Sequence, residues 1–297
     1  MTIYALGLDN DKTLRRFIQC AVDAGETVEL VNLHAVAKED WQVGVPAVWA
    51  PAQVYGAAGL HLDPSAGYYA RLVDLSAVLP EPASTAWRAM VGGLAAFLET
   101  VEGPVVNRPG AQVHNGAKPL HEWWLARQGF DVPAAVTTAD PEILQAFLAR
   151  HGCGIVKSLC GMRGTAQLVT ADDLKHFRRE QGPIHLQAFV RGHDLRVHLV
   201  GQEAFAERIL SDAVDYRARG VQTRHEAAGV PEALLERMIR AAEVMGLAFT
   251  GWDFKVDADG RHWCLEVNPS PGYDVYDRRA DGAISRALIR HLRPCAG

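Results

Sequence analysis

The sequence predicts an α/β chain whose last third is rich in strands, on three observations. It opens strand, helix, strand: "IYALGL", then "KTLRRFIQCAVDAG" with apolar residues at helical spacing and a closing Gly25, then "TVELVNL". Near residue 112 the pattern resets and helix and strand alternate afresh. Close to the C-terminus "FTGWDFKVDADG" turns through Asp-Ala-Asp-Gly onto "RHWCLEV" as a hairpin with a short loop.

Taken in order, the first unit, residues 1–112, continues through a Gly-, Pro- and Ala-rich passage interrupted by a strand in "GYYARLVDL". The helix "TAWRAMVGGLAAFLETV" and the strand "PVVN" then end it. The second, residues 113–186, reads as helix "AKPLHEWWLARQGF", strand "VPAAVTT", helix "PEILQAFLARHG", strand "GIVKSL", loop "CGMRG", strand "TAQLVT" and helix "ADDLKHFRRE". The strand "GPIHLQAFV" straddles the next boundary. The third unit, residues 187–297, adds "DLRVHLVG" and "QEAFAERIL", a long polar stretch, a helix from Pro231 to Met245, the hairpin, and a helix in "ADGAISRALIRHL". No fixed-period repeat is present.

Composition excludes several classes. At 297 residues, 48% hydrophobic and 22% charged, the chain is long enough for a sizeable core. A formal charge of −5 argues against a general nucleic-acid binder. The five cysteines, at 20, 153, 160, 264 and 295, form no CxxC pair, which suggests neither a disulfide framework nor a zinc site and fits a reducing cytoplasm. No run approaches the length of a membrane span, so neither export nor an anchor is expected. Twelve histidines include His185, His193 and His198 close together, but none forms HxxxH or HExxH, and they are expected as solvated strand residues. Trp123 and Trp124 are expected as core and cleft wall.

Chemistry concentrates in three places. In the hairpin, strand alternation puts Glu266 and Asn268 on one face together with Cys264, and Leu265 and Val267 on the other, while pairing brings Asp253 alongside. Two carboxylates and a carboxamide suit a hard cation that also takes phosphate oxygens as ligands. In "GIVKSLCGMRGTAQ", Lys157 ends an apolar strand before a loop containing Gly161 and Gly164, a combination of ammonium and backbone N–H donors that suits a polyphosphate. In "HLQAFVRGHDLR", a short apolar strand can pair through its backbone with an adenine edge, and Asp194 a few residues on can accept a ribose hydroxyl.

The order of these groups, Lys118, Lys157 with its glycine loop, "QAFV" with Asp194, then Asp253-x12-Glu266-x-Asn268 followed by "NPSPG", resembles the ATP-grasp superfamily across residues 107–293. "AKPLHEWWLARQGFDVP" and "DYR" look most like the branch of RimK-type ribosomal-protein glutamate ligases and graspetide (microviridin-type) macrocyclases. The resemblance implies two α+β subdomains gripping ATP, preceded by a small α/β pre-ATP-grasp domain. It implies a ligase that forms an acyl phosphate with ATP, releases ADP and phosphate, and gives the acyl group to a nucleophile, usually an amine.

By the same resemblance Lys118 and Lys157 hold ATP phosphates under a lid containing Gly161 and Gly164. Gln187, Ala188, Phe189 and Val190 line the adenine, Asp194 binds ribose, and Asp253, Glu266 and Asn268 ligate two magnesium ions, with manganese as a substitute. Arg71, Arg163 and Tyr273 fall near the substrate. Ala188 stands where relatives often carry Glu or Lys beside adenine. Gly251 stands where the alanine–alanine ligase branch carries its oxyanion arginine, so Arg196 and Arg217 are the expected catalytic cations. Expected partners are a small carboxylate and an amine, on an amino acid or small peptide. A precursor-peptide modifier forming amide or ester links and a non-catalytic ATP sensor are the alternatives, and homo-oligomerisation stays open.

Overall fold

The computed structural model describes residues 2–38, 41–44, 53–55, 61–111, 116–157, 167–218 and 220–293. The chain opens with β1 (Thr2–Gly7), α1 (Lys12–Asp23), β2 (Thr27–Asn32), the short α2 (Leu33–Val36), the hairpin strands β3 (Gln42–Gly44) and β4 (Gln53–Tyr55), β5 (Gly67–Ala70), α3 (Ala83–Thr100) and β6 (Val105–Val106). A parallel sheet in the order β2-β1-β5-β6 forms its centre. Alternation along β1 serves two cores: Tyr4 and Leu6 join Trp87, Met90 and Phe97 of α3, while Ile3 and Ala5 join Leu14 and Phe17 of α1. Asp11 starts α1 by accepting the N–H groups of Thr13 and Leu14.

A second layer follows with α4 (Lys118–Arg127), β7 (Ala135–Thr138), α5 (Pro141–His151), β8 (Gly154–Lys157), β9 (Gln167–Val169) and β10 (Ile184–Ala188), whose strands form the antiparallel sheet β7-β10-β8-β9. The expected helix in "ADDLKHFRRE" is absent. Turns and a single 3-10 turn at Arg179–Gln181 replace it, with Asp173 accepting from both the N–H and the hydroxyl of Thr170. Since β10 runs through the boundary drawn at 186/187, we propose to place that boundary after Ala188.

The last third contains β11 (His193–Val200), β12 (Glu203–Leu210), β13 (Arg224–Ala228), α6 (Glu232–Met245), β14 (Phe249–Val256), β15 (His262–Asn268), α7 (Asp274–Arg279) and α8 (Ala283–Leu292). Its sheet, β13-β12-β11-β14-β15, is antiparallel throughout. β13 lies inside what the sequence presents only as a polar stretch, and α7 was likewise not expected. Every residue of β14 is buried, so the sheet is covered on both faces. Leu195, Val197, Trp252, Phe254 and Val267 pack on α6. Cys264 belongs to this apolar face, contrary to expectation, because a bulge pairs Asp253 with Glu266 but Phe254 with Cys264 and reverses the alternation at Leu265. Among the described residues no helix is long and apolar enough to cross a membrane.

Candidate active site

The site lies on the other face of the large sheet, and the register assembles it. Asp194 pairs with Lys255, Arg196 with Asp253, and His198 with Gly251, while Asp253 also pairs with Glu266 and Gly251 with Asn268. Residues far apart in sequence thus become neighbours on three adjacent strands. Both oxygens of the buried Asp253 are claimed: Arg196 Nη1 lies 2.6 Å from Oδ2, and Arg217 Nη2 lies 2.6 Å from Oδ1. Burial would raise the Asp253 pKa, but the two guanidiniums outweigh it and hold the carboxyl down to about 2. The space above Gly251 is taken by Arg196, since a Cβ there would overlap its Nη2 and the Pro271 ring. The missing side chain at 251 and the presence of Arg196 are therefore one feature.

Glu266 has a cation of its own in Lys118, at 3.2 Å. α4 is seated on β15 by a hydrogen bond from the Val267 N–H to His121 Nε2, 3.0 Å. One turn after Lys118 on the same helix side, Glu122 is buried and accepts from Gln187 Nε2 at 2.6 Å, with His185 Nε2 at 3.0 Å. Lys157 ends β8 nearby: desolvation lowers its pKa, and Glu122 opposes that shift.

Several expected residues are placed differently from a simple pocket lining. The Gln187 amide is committed to Glu122, and the N–H groups of Ala188 and Phe189 donate to the carbonyls of Ala134 and Cys153. Asp194 is paired with Lys255 at 2.8 Å; burial raises its pKa and the ammonium counteracts this. Tyr273 is fully buried among Phe249, Tyr69 and Ser285, so it supports the wall and does not line it. Arg71 reaches from the first unit to Asp11 (2.6 Å), Ser270 Oγ (3.1 Å) and the Pro271 carbonyl (3.3 Å), on the rim of a cleft of about 400 Å³. Gly161, Arg163 and Gly164 lie outside the described residues. His185 and His198 are buried, not solvated, and Trp123 is 59% exposed, so it is not core.

The sequence reading missed Glu122, His185, Lys255 and Asn107. Asn107 ties the first unit to the site: its amide donates to the carbonyls of Phe249 and Pro269, and its oxygen accepts from Ala248 and Phe249. The i, i+4 spacing of Lys118 and Glu122 was the available signal for one of them.

The donor set fits a hard divalent cation. Asp253 is ionised, Glu266 stands directly across from it, and Asn268 shares their face, with its Oδ1 accepting from the Ser270 N–H at 2.9 Å. Among the described residues no three His, Cys, Asp or Glu side chains form a closed metal cluster. Asp253, Glu266 and Asn268 share one face, on which both carboxylates are now paired with Arg196, Arg217 and Lys118.

Cations and carboxylates paired on one face of an antiparallel sheet, with Lys157 ending a strand of a second antiparallel sheet nearby, are arranged as in the ATP-grasp class. Residues 118–292 match the model of the RimK-like ATP-grasp domain, more than half of the chain, and the protein belongs to that family. The chain is similar over its whole length to two solved structures. One is the ATP-grasp ligase PsnB complexed with minimal precursor: 26% identity, 98% of this chain and 99% of that chain covered, TM-score 0.81. The other is the macrocyclase MdnC from Microcystis aeruginosa MRC bound with precursor peptide MdnA: 17% identity, 98% and 99% covered, TM-score 0.80. A probable alpha-L-glutamate ligase of Rhodopirellula baltica is 27% identical over 184 residues, 57% of this chain and 44% of that protein. The match spans less than half the length of that curated relative.

Proposed function

We propose that the protein is an ATP-dependent ligase that activates a side-chain carboxylate of a peptide as an acyl phosphate and passes it to an amine or hydroxyl nucleophile. The observation that carries the chemistry is the convergence of Asp253, Glu266 and Asn268 with Lys118, Arg196 and Arg217 on one sheet face. The choice of a peptide over a free amino acid is supported by likeness along the entire chain, first unit included, to ligases solved with precursor peptides. A free amino acid as substrate keeps support from the curated glutamate-ligase relative.

Phosphoryl transfer from ATP leaves little covalent work to side chains, so the residues act by charge and position. Asp253, Glu266 and Asn268 would hold magnesium, which when bound neutralises phosphate charge. Lys118, now on Glu266, and Lys157, beside Glu122, offer ammonium groups to the phosphates. Arg196 is fixed by burial and its ion pair. Arg217 is half exposed and can turn from Asp253 toward the reacting carboxylate and its developing oxyanion. Tyr216 supports that arginine, with its ring 5.0 Å from the guanidinium carbon.

The test is acyl-phosphate trapping: the protein with ATP, magnesium and hydroxylamine is offered either free glutamate and aspartate or synthetic peptides containing them. Hydroxamate on a peptide, with ADP and phosphate released, is the expected result. Hydroxamate on the free amino acid alone would reject the peptide reading, and none on any carboxylate would reject the ligase.

A further inference from the structure

Beyond the arginines and the metal face lies a cluster that the chemistry so far leaves unused. On the same face as Arg196 and directly across from it is Glu207 of β12. His225 of β13 points its Nδ1 at Glu207 Oε2, 2.9 Å, and its Nε2 at the hydroxyl of Thr223, 3.0 Å. Arg279 of α7 clasps the same carboxylate, with Nε 3.0 Å from both oxygens and Nη2 2.8 Å from Oε2. In the neutral tautomer whose Nδ1–H donates to Glu207, Nε2 turns its lone pair to the Thr223 hydroxyl. A hydroxyl, an imidazole and a carboxylate thus stand in line, as nucleophile, base and orienting group do in acyl-transfer enzymes.

Position gives this line a purpose. The metal face occupies β14 and β15, and Arg217, for the developing oxyanion, is paired with Asp253 beside it, so the stretch of the face beyond Arg196, over β12 and β13, is left for the acceptor. His225 is three strands from Asp253, about 14 Å across the sheet at the usual strand spacing, and lies two residues along from the Asp253–Arg196–Glu207 row, in register with Ile209; its ring reaches back to Glu207. The ring of Tyr276 stands between the two groups, 6.2 Å from the His225 ring and 6.0 Å from the Arg196 guanidinium carbon.

We propose that His225, oriented by Glu207, is the general base that takes the proton from the acceptor nucleophile, with Thr223 holding the place of the acceptor's N–H or O–H. This assignment rests on the ligase reading above. In the step the nucleophile's lone pair forms the new bond to the acyl carbon. The carbon–oxygen bond to phosphate breaks with its electron pair leaving on phosphate, and the nucleophile's proton moves to Nε2 and from there to solvent.

Two nucleophiles separate a base from a structural residue. Hydroxylamine is neutral near neutral pH and needs no base, whereas a lysine, serine or threonine of the peptide does. The full-length protein, ATP and magnesium are supplied with a pool of synthetic peptides carrying Asp, Glu, Lys, Ser and Thr, with and without hydroxylamine. His225→Gln should form hydroxamate within about twofold of wild type yet transfer to the peptide's own nucleophile about a hundredfold or more slowly. Glu207→Gln should show the same selectivity at about tenfold. Equal loss of hydroxamate and transfer in both variants, or loss of neither, overturns the assignment. Absence of hydroxamate with wild type overturns the ligase reading, and the base with it.

Discussion

One face of the large sheet changes character midway along the same three strands. Near α7 and α8 it presents Val200, Phe205 and Phe249, packed with Tyr273, Ile284 and Leu288. Two to four residues away, on the same face, stand Arg196, Glu207 and Asp253. Alternation chooses the face, but the layer above decides whether it is filled with carbon or charge. Where helices cover it, burying a side chain such as Phe249 contributes about 2–3 kcal/mol. Where a cleft opens, the buried Asp253 would be costly without its two guanidiniums. The carbon-filled half should therefore govern most of the stability, and the charged half turnover together with a pH-dependent share of stability.

The largest test of that division is Glu266→Gln, which removes a ligand charge and almost no volume. Turnover should fall by about three orders of magnitude with an unchanged melting temperature, as expected for the loss of several kcal/mol of metal-borne stabilisation. Normal activity of the folded variant at limiting magnesium would reject the metal face. Its counterpart is Phe249→Ala in the carbon-filled half. Chemical denaturation should show a loss of about 4 kcal/mol, while the folded fraction keeps its specific activity. A variant of normal stability but low activity would erase the distinction.

Smaller effects sharpen the charged half. Arg217→Ala should slow ligation about a hundredfold while nucleotide affinity measured by calorimetry stays near wild type, because its charge matters most when the oxyanion appears. Equal losses in both would make it a nucleotide ligand instead. Next is acid stability. The folded Asp253 pKa of about 2 lies below its ordinary 3.8, so its contribution is fully present above the ordinary value and lost as pH falls from about 4 to about 2. Linkage gives about 2 kcal/mol over that interval, and Asp253→Asn should flatten the corresponding part of the denaturation profile. The smallest expected effect is Lys157→Ala, which should raise the apparent ATP constant about tenfold through the loss of one cation near phosphate. An unchanged constant would leave Lys157 a strand-end lysine.

The two halves also differ in how far the sequence reveals them. The hairpin with Asp253, Glu266 and Asn268 was legible because both its strands and the turn between them are contiguous, so pairing follows from local chemistry. The bulge at Leu265 was not, since one added residue reverses the face of Cys264 without a change in composition. β13 was hidden because "RHEAA" is an edge strand with polar residues on both sides. The clamp on Asp253 could be anticipated only as residue types: Arg217 comes from an irregular segment whose path the sequence does not encode locally. The buried networks of Glu122 with Gln187 and of Asp194 with Lys255 depend on contacts between separate elements, which periodicity cannot report.

The central claim is that a carboxylate oxygen attacks the γ-phosphorus of ATP at the face built by Asp253, Glu266 and Asn268. It is tested most directly by supplying the substrate peptide with its side-chain carboxylates labelled with oxygen-18 and following the products by phosphorus NMR. An acyl phosphate predicts ADP together with phosphate carrying one labelled oxygen for each bond formed, and the same label transfer at a greatly reduced rate in Glu266→Gln. Unlabelled phosphate, or AMP and pyrophosphate as the stoichiometric products, would contradict it.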